Sequence, residues 1–424
     1  MDKLIIKGGQ RLEGSVTASG AKNSVLPILA ATLLTDQKCC IENVPELRDV
    51  KTMVKILEGL GVNISFKDGV IEVEAGGFSG SQASYELVRT MRASICVLGP
   101  LLSRKGKASV SLPGGCIIGS RPIDLHLKGF RAMGAEIEVE HGYINAKADK
   151  LSGARIYLGG PSGSSVLATA NVMLAAILAK GETYIESAAC EPEILDLAEF
   201  LNKMGAKVEG AGTPMVKIEG VDKLCGATHS VIPDRIEAGT YLVAGVLTKG
   251  DVLVKNARVQ DLGAVLNALE AVGAEITYQP TGIRVKGRDV INPAEITTLP
   301  YPGFPTDMQA QFMSLLSIAN GVSVITEKVF PERFMQIGEL NRMGADITLE
   351  GATAIIKGVE YLSGSEVMAS DLRASAALVL AGLVADGETV VSRVYHIDRG
   401  YEHLVEKLKT LGARIERVQE CKIL

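Results

Sequence analysis

One thiol stands out among the residues equipped for chemistry. Cys116 lies in the stretch LPGGCIIGSRPIDLH (112–126), with glycines at 114, 115 and 119 and a cation, Arg121, five residues on. A thiol on a glycine-rich loop beside a fixed positive charge is set up to form the thiolate; the plainer reading is a small loop residue without chemistry. Cations occupy a second unusual set of positions. Lys22 (GAKNSVLP), Arg92 (TMRASI) and Arg373 (SDLRASAAL) stand just before apolar runs, where a helix would begin. Positive charge there opposes the helix dipole, so capping does not account for them, whereas binding of an anion by cations and free helix N–H groups does. Ser164-Ser165, Asp234 and Asp371 hold the same place in other runs and read as N-caps. Asp307, in FPTDMQAQF, reads both as a cap and as a general base. Arg333 (VFPERFMQ) and Arg399 (YHIDRGYEHL) fall on loops. Converging with Arg121, they would form a clamp for phosphate and carboxylate.

The background composition narrows the partners. Lys plus Arg is 44 against Asp plus Glu 49, a formal charge of −5, so no basic footprint for nucleic acid or membrane is expected. Only 4% of residues are aromatic and Trp is absent, which argues against base-stacking platforms. Apolar stretches such as 374–385 fall short of the ~20 residues a spanning helix needs, and the start MDKLIIKGGQ reads as a charged strand and not as a signal peptide. Seven cysteines at 39, 40, 96, 116, 190, 225 and 421 show no CxxC spacing, which points to free thiols in a cytoplasmic protein. Cys39, Cys40 and Cys190 fall in strand-like segments and Cys96 in an apolar run, all places for inert thiols. The five histidines have no metal spacing, and no P-loop or dinucleotide fingerprint is present, so neither metal nor cofactor is expected. His126 alone, near Arg121, is a candidate ligand contact.

The elements that must position these residues recur. LEGLGVNISFKDGVIEVEA (57–75) returns as FRAMGAEIEVEHGYINAKA (130–148), and again from 201, 269, 340 and, truncated, 408. The marker glycines Gly61, Gly134, Gly205, Gly273, Gly344 and Gly412 are 73, 71, 68, 71 and 68 residues apart. So regular a period is a repeat architecture. Each phrase reads as a helix ended by a left-handed glycine, then two alternating strands joined by a turn. Between phrases run Ala/Leu/Val-rich segments such as NVMLAAILAKGETYIESAA, apolar on all sides as a fully buried helix is. At 424 residues, two domains are expected: 22–232 with three units, and 1–21 plus 233–424 with three more, ligands sitting in the cleft between them.

The segments ASGAKNSVLPILAA, TMRASI, LPGGC, RPIDLHLKGF, FPTDMQAQF, DLRASAALVLAGL and YHIDRGYE together resemble those of the UDP-N-acetylglucosamine 1-carboxyvinyltransferases, over nearly the whole chain. The resemblance implies the α/β enolpyruvyl transferase fold, a two-domain inside-out α/β barrel of six βαβαββ-type units. It implies transfer of the enolpyruvyl group of phosphoenolpyruvate to the 3′-hydroxyl of UDP-N-acetylglucosamine, the opening step of peptidoglycan synthesis, with no cofactor. By the same resemblance Cys116 delivers a proton and is the fosfomycin target, Asp307 accepts one, and Lys22 and Arg399 complete the catalytic set. Lys22, Asn23, Cys116, Arg121, Arg373 and Arg399 hold phosphoenolpyruvate. Arg92, Arg121, Pro122, Ile123, Asp124, Leu125, Ser165, Val166, Asp307 and Val329 hold the nucleotide sugar, with Arg333 and Asp371 in support. Ile117, Ser120, Gly163 and Leu167 depart from the family pattern. Two other readings compete: the related 5-enolpyruvylshikimate-3-phosphate synthases, which lack the PGGC loop, and a non-catalytic ligand-binding repeat protein.

Overall fold

The computed structural model describes residues 2–112, 114 and 123–419. Cys116, Arg121 and Pro122, together with Ile117 and Ser120, lie outside the described residues. The six marker glycines have φ between 92° and 97°. Each follows a helix: Arg48–Gly59, Asp124–Ala132, Pro192–Lys203, Gly263–Ala271, Ile337–Arg342 and Leu404–Thr410. In the first, Val62 N–H donates to the Leu57 carbonyl (3.1 Å) and Gly61 N–H to that of Glu58 (2.9 Å). The same pair of bonds closes the other five. This is the Schellman ending, which uses up carbonyls the helix would otherwise leave unbonded.

The strand that follows each glycine then pairs into a sheet. The described residues form six four-stranded sheets of one topology, a parallel pair extended by two antiparallel neighbours. Three sheets need a strand from far along the chain. Thr228–Ser230 lies parallel to Cys39–Glu42, and Glu13–Thr17 parallel to Asp251–Lys255. Asp2–Lys7 sits between Glu388–Ser392 and Arg414–Gln419, antiparallel to both.

Contacts divide the chain into two compact units. One runs from Gly20 to Ile232; the other joins the N-terminal segment through Ser19 to Pro233 and beyond. Each has its own apolar core and three of the sheets. Inside the first lie the helices Lys22–Ala31, Leu98–Lys105 and Val166–Ala176; inside the second lie Arg235–Leu247, Gln309–Leu316 and Leu372–Val384. Every residue from Ile236 to Leu247 and from Arg373 to Leu383 is buried. Helices inside and sheets outside is the arrangement the all-round apolar runs require.

Two local expectations need correction. Arg92 opens a 3₁₀ segment, Arg92–Val97, and the α-helix begins only at Leu98. Pro100 has no N–H to give an upstream carbonyl, so it fits only in the first turn of the α-helix. Cys190 is not in a strand: Glu182–Glu186 ends at Ser187, whose φ of 55° turns the chain away.

Two glycines in one turn make opposite predictions. Gly59 is helical with open space around its Cβ position, whereas Gly61 has φ +94° and only ordinary contacts. Gly59→Ala is expected to stabilise by ~0.5–1 kcal/mol and Gly61→Ala to destabilise by ~1–2 kcal/mol. Urea unfolding of the two variants checks both signs.

Candidate active site

In the unit that contains residues 233–419, the buried helices bring their polar starts together. Asp307 lies in the 3₁₀ turn Thr306–Met308 that leads into Gln309–Leu316, and the N-cap positions of the two segments are Pro305 and Met308. Instead, Oδ1 lies 2.7 Å from Nη1 of Arg333 and Oδ2 lies 3.2 Å from Nη2 of Arg373. Both arginines are buried, at 4% and 3% exposure, while Asp307 is half-buried. The cap reading of Asp307 therefore drops away.

Arg373 owes its place to Asp371. That residue caps Leu372–Val384, accepting from the backbone N–H of Arg373 (2.8 Å) and Ala374 (3.1 Å). Burial works against the guanidinium charge, but Asp307, Tyr401 and Asp234 outweigh it and hold the group protonated far above its ordinary range. The guanidinium lies over the Tyr401 ring at 5.4 Å. Tyr401 is fixed in turn by Thr240 Oγ1 (3.0 Å) and by Gln311 Nε2, which donates to its hydroxyl at 3.2 Å. Nη1 of Arg373 has no acceptor among the described residues although it is buried. An unmatched donor on a buried cation is suited to an anionic ligand.

The segment with Arg399 is held on both sides. Asp398 takes two bonds from Arg417 (2.6 and 2.8 Å), and Tyr401 is anchored as above, so the half-buried Arg399 sits between two fixed points. Val329 lies just past the strand Val322–Glu327, and its N–H donates to Glu327 at 2.8 Å.

In the unit that contains residues 20–232, Lys22 is the first residue of its helix, and the N-cap residue, Ala21, makes no side-chain cap bond. Its Nζ lies 3.2 Å from Oδ2 of Asp49, both groups almost wholly buried. Asn23 follows, half-buried. The hydroxyl of Ser24 donates to buried Asp196, to which His229 Nε2 also donates at 2.8 Å. Ser165 caps Val166–Ala176 by accepting from Ala168 N–H at 3.3 Å. Ile123, Leu125, Val166 and Leu167 form half-buried apolar edges on the core, and Asp124, exposed, starts the helix Asp124–Ala132.

Asn171 ties these helices together. Its Nδ2 donates to the Ile95 carbonyl (2.8 Å), and its Oδ1 accepts from Gly99 N–H (2.8 Å). The approach is so close that a Cβ on Gly99 would lie 2.4 Å from the Asn171 carbonyl oxygen. His126 joins the same cluster, its Nδ1 3.1 Å from Asn171 Nδ2. The ring is a core residue, not an open ligand contact: burial, with help from Arg92, pushes it down to about 3.

Four of the described thiols are held away from the thiolate. Burial pushes Cys96 up to about 12 and also raises Cys39, Cys40 and Cys190. Among the described residues no group of three or more His, Cys, Asp or Glu could hold a metal ion, and no helix is long and apolar enough to cross a membrane.

Comparison with known proteins places this geometry. A family model described as EPSP synthase (3-phosphoshikimate 1-carboxyvinyltransferase) matches residues 6–408. The UDP-N-acetylglucosamine 1-carboxyvinyltransferase of Desulfosudis oleivorans is 56% identical over 418 residues, 99% of this chain and 100% of the relative. That of Geotalea uraniireducens is 55% identical over 420 residues, with the same coverage. The chain belongs to the UDP-N-acetylglucosamine 1-carboxyvinyltransferase family. It is therefore a transferase. The enolpyruvyl transferase NikO from Streptomyces tendae shares its fold with a TM-score of 0.90 at 25% identity, over 99% of each chain. EPSP synthase from Acinetobacter baumannii, at 20% identity and a TM-score of 0.75 over 99% of this chain and all of its own, shares the fold alone.

Four partners escaped the reading of the sequence: Asp49, Asn171, Tyr401 and Glu327. Asp49 and Asn171 each sit on a helix, with no local motif to mark them. Glu327 did leave a signal, since it stands at the inward parity of VSVITE together with Ser323 and Ile325.

His126 sets a pH dependence in this transferase. Its ordinary value is 6.5 and its folded value is about 3, so between these the unfolded chain binds the extra proton. Stability is therefore full above about pH 6.5 and falls as the pH is lowered, by at most ~1.4 kcal/mol per pH unit. Urea melts are expected to show a shallower acid decline for His126→Gln than for the wild type.

Proposed function

We propose that this transferase moves the enolpyruvyl group of phosphoenolpyruvate to the 3′-hydroxyl of UDP-N-acetylglucosamine and releases phosphate, in the cytoplasm, as the opening step of peptidoglycan synthesis. The observation that carries the reading is Asp307 held between two buried guanidiniums, one of which keeps an unmatched buried donor. That combination supplies a carboxylate for a proton and a cation for an anion within one bonded cluster. The full-length relatives named for this activity support the choice of acceptor.

In the addition step, the sugar oxygen bonds to C2 of phosphoenolpyruvate while its proton passes to Asp307 and Cys116 delivers a proton to the C3 methylene. A tetrahedral phosphate ketal results. In the elimination step, the C2–O bond to phosphate breaks, C3 returns a proton to the Cys116 thiolate, Asp307 gives its proton to the departing phosphate, and the double bond re-forms on the sugar ether. Protons and phosphate balance both steps. Charge grows on the phosphate and carboxylate oxygens, where Lys22, Arg121, Arg373 and Arg399 act, with Asn23 beside Lys22. Each bond that holds Asp307 in place also occupies one of its oxygens. Each oxygen keeps a further lone pair for the sugar proton, and the second Arg373 nitrogen, already unmatched, is left for the incoming anion. Arg92, the segment 121–125, Ser165, Val166 and Val329 receive the nucleotide sugar.

Phosphate release from phosphoenolpyruvate is expected with UDP-N-acetylglucosamine and not with shikimate 3-phosphate; release with neither sinks the reading. Asp307→Asn should lower kcat by ~100-fold or more, as loss of a general base does. Fosfomycin should alkylate Cys116 stoichiometrically and leave Cys39, Cys40, Cys96 and Cys190 unmodified. A peptide mass map without an adduct at Cys116 would remove the thiol from its role.

A further inference from the structure

Glu327 is wholly buried, and four donors converge on its carboxyl group. Oε1 accepts from Thr298 Oγ1 (2.6 Å) and from the N–H groups of Val329 (2.8 Å) and Phe330 (2.9 Å). These three bonds shape the turn after the strand Val322–Glu327. Oε2 points elsewhere and accepts from Thr306 Oγ1 at 2.9 Å. Thr306 precedes Asp307, and its hydroxyl oxygen accepts from Arg333 Nη1 at 3.1 Å. That same Nη1 lies 2.7 Å from Asp307 Oδ1. One oxygen therefore serves the loop that bears Val329, and the other serves the corner that bears Asp307.

We propose that Glu327 is a positioning residue for the transfer reaction, holding the Thr306 hydroxyl in the orientation that lets Arg333 fix the Asp307 carboxylate. The inference rests on the function proposed above. The hydroxyl has one proton. While Glu327 Oε2 takes it, the lone pairs of Thr306 face Arg333, and Arg333 Nη1 is shared between Thr306 and Asp307. Without an acceptor at Oε2 the hydroxyl rotates, the link to Arg333 loosens, and the carboxylate loses its fixed direction. A shift of that kind at a proton acceptor acts on turnover more than on binding.

Glu327→Gln separates this role from a plain structural one. With its amide oxygen at the Oε1 position, glutamine keeps the three bonds of the turn but presents an N–H₂ group to Thr306, which then faces two donors. Phosphate release is expected to show kcat lowered ~10-fold, with KM for UDP-N-acetylglucosamine within about twofold and an unchanged unfolding midpoint. Thr306→Val should have the same effect, Thr306→Ser should regain activity relative to the valine variant, and the Glu327→Gln/Thr306→Val pair should lose no more than the worse single change. Turnover at the wild-type level in both single variants, losses that multiply, or a serine variant as poor as the valine one would each overturn the proposal. A wild-type protein inactive with phosphoenolpyruvate and UDP-N-acetylglucosamine removes the proposed function and this inference with it. An active wild type with unaltered variants removes the inference alone.

Discussion

A helix buried on every side can meet polar partners only at its ends. Each unit has three such helices, and in Leu372–Val384 every residue from Arg373 to Leu383 is out of water. The first turn of a helix leaves several N–H groups without internal acceptors, and so deep in a core water cannot supply them. Ser165, Asp234 and Asp371 answer that demand as caps. Lys22 and Arg373 do the opposite, adding positive charge where the dipole is already positive. Their neutralising carboxylates, Asp49 and Asp307, come from other elements. The placement of these carboxylates follows from the burial of the helices.

Such pairs are poor sources of net stability, because desolvation of both charges offsets much of their attraction. They are well suited to exchange. A guanidinium that already carries its charge in a dry setting can trade a carboxylate for a phosphate at little cost in reorganisation. The neighbours of Arg373 serve this by restricting how it can move: Tyr401 lies against its face, and Thr240 and Gln311 fix Tyr401. Lys22 has a comparable foundation, since Ser24, in the first turn of the same helix, is bonded to Asp196.

The architecture was open to reading because it is repeated and local. A glycine after a helix, followed by alternating residues, specifies a Schellman ending and a hairpin from a dozen neighbouring residues, and the chain repeats the ending six times and the hairpin five. The caps were equally local. Asp307 was ambiguous because its place before a helix suits a cap, and only the approach of Arg333 and Arg373 from other segments decides otherwise. Asp49 and Asn171 are ordinary helix residues by pattern, and their partners are 27 and 72 or more residues away except for His126. Glu327 broke a pattern, as a charged residue on the inward face of a strand, but its meaning depended on Thr306 and Arg333.

The strand Asp2–Lys7 is the third member of a sheet whose other edge is Arg414–Gln419, with Asp2 opposite Gln419. On the ribosome Asp2 and its partner Arg417 emerge 415 residues apart. The unit from Gly20 to Ile232 can gather its three sheets while the rest of the chain is still being made. The other unit cannot complete this sheet until residue 419 has been added, so Asp2–Lys7 waits with an unpaired edge until the strands Glu388–Ser392 and Arg414–Gln419 follow. Lys3 and Lys7, on either side of the apolar run Leu4-Ile5-Ile6, make that edge less prone to pair with strangers. Order of synthesis thus becomes a constraint on the sequence of the first strand, separate from anything the finished enzyme asks of it.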